Sequence, residues 1–131
     1  VTGPGILVDS WAWLEMMSGS RRGERACEVI RDNSGICVSV LTLYELRYRL
    51  EQIKNREGAV LILKQIVDQA EVIPVDAQIA LLGGTIKARQ HSRKITMGAV
   101  DCLILATART HNLNVLTGDT HFKGFEETIL L

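Results

Sequence analysis

The sequence predicts an α/β fold, a short and mostly parallel sheet of about four or five strands with helices on both faces. Two observations carry that expectation. Short apolar, β-branched runs recur at Ile6-Leu7-Val8, Ile36 to Val40, Val72 to Val75 and Asn114 to Thr117. Between them lie stretches of ten or more residues with helical apolar spacing, and strands separated by helices of that length require parallel crossovers. The 131 residues, 47% hydrophobic and 23% charged, suffice for one core, so a single domain over 1–131 is expected.

Taken in order, Ile6-Leu7-Val8 reads as a buried strand that stops at Asp9-Ser10, a helix N-cap pair. A helix over Trp11 to Met17 is broken by Ser18-Gly19-Ser20 and resumes from Arg21 to Arg31 with Ala26, Val29 and Ile30 on its apolar side. Asn33-Ser34-Gly35 is a turn. Ile36 to Val40 is the second strand, and Thr42 opens a helix to about Ile53 lined by Leu43, Leu46 and Leu50. After a break at Asn55 to Gly58 comes a strongly apolar helix containing Ala59 to Leu63, Ile66 and Val67. Val72 to Val75 is a third strand, placed at an edge or ending by Pro74, which cannot donate to a ladder. Asp76 to about Ala88 is helical despite Gly83-Gly84, and Arg89 to Lys94 is a polar, basic connection. The next helix starts at Thr96 or Gly98 and ends near His111-Asn112. Asn114 to Thr117 is the fourth strand, Gly118-Asp119 a turn, and Thr128 to Leu131 a last strand. The turn-like Val1 to Gly5, without an initiator Met, is set aside from the fold.

Lys plus Arg and Asp plus Glu number 15 each, so no net field announces nucleic acid, although an acidic pocket can be offset by a basic rim. Cys27, Cys37 and Cys102 are widely spaced among apolar residues and read as reduced core thiols of a cytoplasmic protein. No apolar run approaches the roughly 18 residues of a membrane span, and no signal-peptide pattern is seen.

Four acids stand out. Asp101 opens an alanine-rich apolar helix, with Leu105, Ala108 and Asn112 following on its own face, so an ionised carboxylate there needs a cation or donors. Asp9 ends the first strand, Glu45 lies in the first helical turn after the second, and Asp119 follows the fourth by one glycine. In an open parallel sheet, ligands sit beyond the carboxyl ends of the strands, which gives all four one address. Each has a plainer reading alone: Asp9-Ser10 as a cap, Thr42-x-x-Glu45 as a capping box, Asp101 as a partner of the helix dipole, Gly-Asp as turn chemistry. Together they repel, which is tolerable mainly around a hard divalent cation, and oxygen ligands favour Mg²⁺ or Mn²⁺ over Zn²⁺. Such an ion suits phosphoryl chemistry.

The ordered segments ILVDS, TLYEL, AVDCLILATA and LTGDTHF resemble a PIN domain, more narrowly a VapC-type toxin ribonuclease of a toxin–antitoxin pair. The resemblance covers nearly the whole chain, with AVDCLILATA and the Thr117-x-Asp119-x-x-Phe122 motif its strongest parts. It implies a PIN-like three-layer sandwich, Asp9, Glu45, Asp101 and Asp119 as the catalytic metal-binding quartet, and Ser10 and Thr117 as supports. It further implies Mg²⁺- or Mn²⁺-dependent hydrolysis of single-stranded RNA to 5′-phosphate and 3′-hydroxyl ends, a homodimer, and a cognate VapB-like antitoxin whose tail blocks the site. Two positions depart from the pattern: His121 stands near where many members carry a further acid, and Arg49 near where many carry Gly. His121 then either weakens a second metal position or donates a proton to the leaving oxygen.

Candidate phosphate contacts are Arg47 and Arg49 beyond Glu45, Arg89, Arg93 and Lys94 before the Asp101 helix, and Lys123 after Asp119. Trp11 and Trp13 cannot share a helix face, so at least one is a candidate for exposure; core packing and a dimer or antitoxin surface are the two readings. His91 and His111 are surface or helix-end residues without an assigned role. The rivals are a catalytically silent PIN-like scaffold for RNA or protein and, less compatibly, a receiver-type phosphate-accepting domain. The latter wants paired acids at the first strand end, where this chain has Asp9-Ser10. A dehalogenase-type phosphatase wants Asp-x-Asp, and Trp11 takes its second place.

Overall fold

The computed structural model describes residues 5–33 and 35–131. Five short strands, β1 (Ile6–Val8), β2 (Ile36–Ser39), β3 (Glu71–Ile73), β4 (Asn114–Thr117) and β5 (Thr128–Leu130), form one all-parallel sheet in the order β3-β2-β1-β4-β5. β1 is central because Ile6 to Val8 are apolar on both sides, and all three are fully buried. β3 is an edge, and Pro74 lies just past its end, as expected.

Side-chain alternation along the strands divides the core in two. Leu7, Cys37 and Val115 face one cluster, shared with α5 (Ala77–Ser92) and α6 (Ala99–His111). Ile6, Val8, Val38 and Leu116 face the other, shared with α1 (Ser10–Ser18), α2 (Arg21–Arg31), α3 (Val40–Ile53) and α4 (Arg56–Gln69). The result is the three-layer arrangement the sequence predicts.

Several boundaries differ from expectation. α3 begins at Val40 rather than Thr42, because Ser39 caps it by accepting the Leu41 N–H at 3.1 Å. Only Lys54 and Asn55 separate α3 from α4, with the Asn55 side chain accepting from the Gly58 N–H at 2.7 Å. The basic stretch 89–92 is not a connection but the last turn of α5, held because Ile86 and Gln90 point inward and are buried. The helix also runs unbroken through Gly83, where an added Cβ would lie 2.8 Å from Leu103 Cδ2 of α6, so the missing side chain permits the α5–α6 approach. The expected turn at Asn33-Ser34-Gly35 includes Ser34, which is outside the described residues. Cys37 and Cys102 are core thiols, but Cys27 is exposed on α2, whose inward face is supplied by Gly23 and Ala26 instead. Among the described residues no helix is long and apolar enough to cross a membrane.

Candidate active site

β1 and β4 are neighbours, and both chain segments leave the sheet at the same edge, one into Asp9 and the other into Gly118-Asp119. Asp9 sits at the N-cap position of α1, yet its side chain makes no capping bond. Its Oδ2 instead accepts from Thr117 Oγ1 at 2.8 Å, and Thr117 Oγ1 in turn accepts the Asp119 N–H at 3.0 Å. Thr117 is fully buried, so it ties the ends of β1 and β4 together in a dry environment.

Glu45 is not part of a capping box. Thr42 lies inside α3 and Glu45 more than a turn beyond its start, where Glu45 accepts a hydrogen bond from Ser10 Oγ at the start of α1. Ser10 and Asp9 are 5% and 7% exposed. Ser10 and Thr117 thus each present a hydroxyl to one carboxylate, Glu45 and Asp9 respectively.

Asp101 enters from the first turn of α6, following the Gly98 N-cap. A 3₁₀ turn, Thr120–Phe122, brings His121 back over Asp119: the Asp119 carboxylate accepts the His121 backbone N–H at 2.9 Å and lies 2.9 Å from Nδ1. His121 Nδ1 is 4.0 Å from Asp101 Oδ2. Asp101, Asp119 and His121 each offer a ligand atom, all within 4.8 Å of one another.

The electrostatics agree with the crowding. Burial raises the Asp101 carboxyl from its ordinary 3.8 to about 6, reinforced by the charges of Asp119, Asp9 and Glu45, with His121 pulling the other way. Burial likewise raises Asp9, opposed by the Thr117 hydrogen bond and reinforced by Glu45 and Asp119. Among the described residues, none of the four acids forms an ion pair with Lys or Arg; the one basic partner is His121. Buried like charges without an internal cation are the condition in which a divalent ion is favoured; the carboxylate oxygens suit Mg²⁺ or Mn²⁺, whereas the His121 imidazole in the cluster is a ligand type of transition ions such as Zn²⁺.

The remaining candidates divide. Arg49 lies one helical turn beyond Glu45 on an exposed face, while Arg47 is paired with Glu51 of its own helix. Arg93 and Lys123 line a hollow with His121, Arg89 lines a second hollow that shares Arg93, and Lys94 follows Arg93 with a left-handed backbone, φ 59°. The tryptophans follow the core-packing reading. Trp13 is buried, and Trp11 is half-buried rather than exposed, beneath the Arg22 guanidinium at 5.6 Å and against Gly118. That last contact was not foreseen: an added Cβ on Gly118 would overlap the Trp11 ring. Trp11 and Gly118 belong to distant segments, and nothing local in either signals the pairing. Gln90 and Phe125, which line a hollow with His121, and Arg109 in the second hollow likewise carried no local signal.

A family model described as "PIN domain" matches residues 6–127. The curated tRNA(fMet)-specific endonuclease VapC of Shigella flexneri is 29% identical over 85 residues, 65% of this chain and 64% of that protein. A chain of the VapBC2 structure from Rickettsia felis, bound to a DNA fragment from its promoter, superposes with a TM-score of 0.79 at 20% identity, covering 96% of each chain. Mycobacterium tuberculosis VapC20, described as a sarcin-ricin loop cleaving toxin, superposes with a TM-score of 0.74 at 21% identity over 94% of this chain and 98% of that one.

Proposed function

The chain belongs to the PIN domain family, and we propose that it is a metal-dependent endoribonuclease hydrolysing phosphodiester bonds of single-stranded RNA, the toxin of a toxin–antitoxin pair. The observation that carries this reading is the meeting of Asp101, Asp119 and His121 within 4.8 Å of one another, with Asp9 tied to the same edge through Thr117 and, among the described residues, no Lys or Arg paired with the acids. The Shigella relative, named an endonuclease, supports the reaction class.

Asp9, Glu45, Asp101 and Asp119 are proposed to hold Mg²⁺ or Mn²⁺, with Ser10 and Thr117 fixing Glu45 and Asp9. A bound divalent ion supplies positive charge to the phosphoryl group and lowers the pKa of water. His121, its Nδ1 engaged by Asp119, presents Nε2 as the group that, when the imidazole carries both protons, gives one to the leaving 3′ oxygen. Burial at the sheet edge excludes bulk water from Asp9, which strengthens every charge interaction there.

The proposal includes a homodimer and a VapB-like antitoxin, acting in the cytoplasm as a single domain. An apolar hollow of about 240 Å³ between α1 and α4, lined by Trp13, Met16, Ile62 and Ile66, supports a peptide partner. Trp13 Nε1 is buried there without a hydrogen-bond partner among the described residues, a donor awaiting an acceptor.

The test is cleavage of a mixed single-stranded RNA with Mn²⁺, with EDTA, and by Asp9→Asn. Cutting that needs both metal and Asp9 and leaves 5′-phosphate ends is expected; equal cutting in EDTA or by the variant overturns the mechanism.

A further inference from the structure

Beside His121 the surface opens into a hollow of about 360 Å³ whose walls include Gln90, Arg93, Ile95, His121, Lys123 and Phe125. A second hollow of about 230 Å³ shares Gln90, Arg93, Gly124 and Phe125 and adds Arg89 and Arg109. Because they share these walls they adjoin, and a groove leads from the site along the last turn of α5. Among the described residues no carboxylate lines either hollow. In a chain of zero net charge, His121 thus belongs both to the acidic cluster and to a hollow whose charged walls are otherwise cationic.

The cations differ in what they can do. Arg109 Nε is bonded to Glu127 Oε1 at 2.6 Å, and its guanidinium lies 5.7 Å from the Phe125 ring centroid. Arg109 is therefore a brace for the ring. Arg93 and Lys123 pair with no acid among the described residues and stand on opposing segments, α5 and the turn after Asp119.

The backbone at the end of α5 fixes two walls of the hollow. α5 ends in a Schellman turn: the Ile95 N–H reaches Gln90 O and the Lys94 N–H reaches His91 O, both at 2.9 Å. Lys94 occupies the left-handed position that favours glycine, between Arg93 and Ile95, which both line the hollow.

We propose that this groove is an RNA subsite holding the nucleotide next to the scissile phosphate. Arg93 and Lys123 take the phosphates, Phe125 and Ile95 form the face against which the base lies, and Gln90 offers a carboxamide to its edge. This deepens the nuclease reading above and rests on it. Cations with an apolar, partly aromatic wall match a nucleotide, whereas an acidic peptide would use the cations alone.

Binding is measured in EDTA, so that no cleavage intervenes, with a short labelled single-stranded RNA of random sequence and the full chain. Arg93→Gln combined with Lys123→Gln should weaken binding about tenfold or more, and make the log–log salt slope shallower by roughly 1.4 for two lost phosphate contacts. Phe125→Leu should weaken it about fivefold with the slope unchanged, as expected when stacking and not charge is lost. Arg56→Gln, on α4 at the opposite face of the sheet, should change nothing. Circular dichroism melts and Mn²⁺ affinity verify that the groove variants remain folded with the acid site intact. Unchanged RNA affinity in the double variant, or no RNA binding by the parent chain, overturns the groove; metal-dependent cutting by the parent would still uphold the nuclease. Groove-dependent binding without cutting under any metal overturns the nuclease and keeps the groove. Equal or tighter binding of a poly-glutamate peptide, lost in the same variants, assigns the groove to acidic protein and overturns the RNA subsite.

Discussion

Thr117 is uncharged and fully buried, yet it touches two of the four acids: it donates to Asp9 and accepts from the Asp119 N–H. Valine matches its shape and removes both bonds. Thr117→Val should keep the fold, with about 1–3 kcal/mol lost because Asp9 and the Asp119 amide lose their partner. Cleavage and Mn²⁺ affinity should fall about 10–100-fold, the usual effect of removing a group that orients a metal-ligating side chain. Titration calorimetry with Mn²⁺ beside a thermal melt separates the cases; lost stability with unchanged metal affinity would make Thr117 merely structural. This residue was legible in the sequence only through the family pattern. A threonine at a strand end is ordinary, and its significance comes from a partner at the other end of the chain.

Element boundaries show where local reading succeeds and where it stops. The central strands were legible because Ile6 to Val8 and Asn114 to Thr117 carry apolar, β-branched runs whose burial needs no distant information. The start of α3 was not: Val40 and Leu41 continue the apolar run of β2, and the Ser39 cap decides where strand becomes helix. The end of α5 was hidden because 89–92 is polar on the outside, and only the inward Ile86 and Gln90 mark it as helix. Two substitutions act on such junctions. Gly118→Ala would drive a methyl into the Trp11 ring and displace the adjoining Asp119, with an expected loss of about 1–3 kcal/mol and reduced cleavage. Trp11→Leu should relieve the clash, so the pair should be less destabilising than the sum of the single changes by chemical denaturation. Lys94→Gly acts in the opposite direction: it relaxes the left-handed residue and should raise stability by about 1 kcal/mol. If the neighbouring groove takes RNA, the same change should weaken RNA binding, a gain in stability set against function.

For the whole molecule, the site is a charge problem solved at the expense of the metal-free fold. The sequence already placed all four acids at strand ends or helix starts on one edge; their joint effect on titration appears only when α6 and the 3₁₀ turn close over β1 and β4. In the unfolded chain Asp101 loses its proton near 3.8, whereas in the folded protein it keeps it to about 6. Between those values the folded state binds more protons than the unfolded one, so metal-free stability falls as pH rises through this window and levels off above it. Burial raises Asp9 too, which adds to the fall in the same direction. Asp101→Asn removes one of the crowded charges. In EDTA at pH 7 its melting midpoint should therefore lie a few degrees above the parent's, while near pH 4, where the parent Asp101 is largely protonated, the two should converge. Added Mn²⁺ should raise the parent midpoint, since an ion that binds only the folded state stabilises it by mass action, and should raise that of Asp101→Asn much less. Melts across pH with EDTA and with Mn²⁺ check all three comparisons in one series. A parent protein equally stable at pH 4 and pH 7 without metal would mean that Asp101 is not held in the crowded, half-buried state, and the link between its charge and the fold would fail.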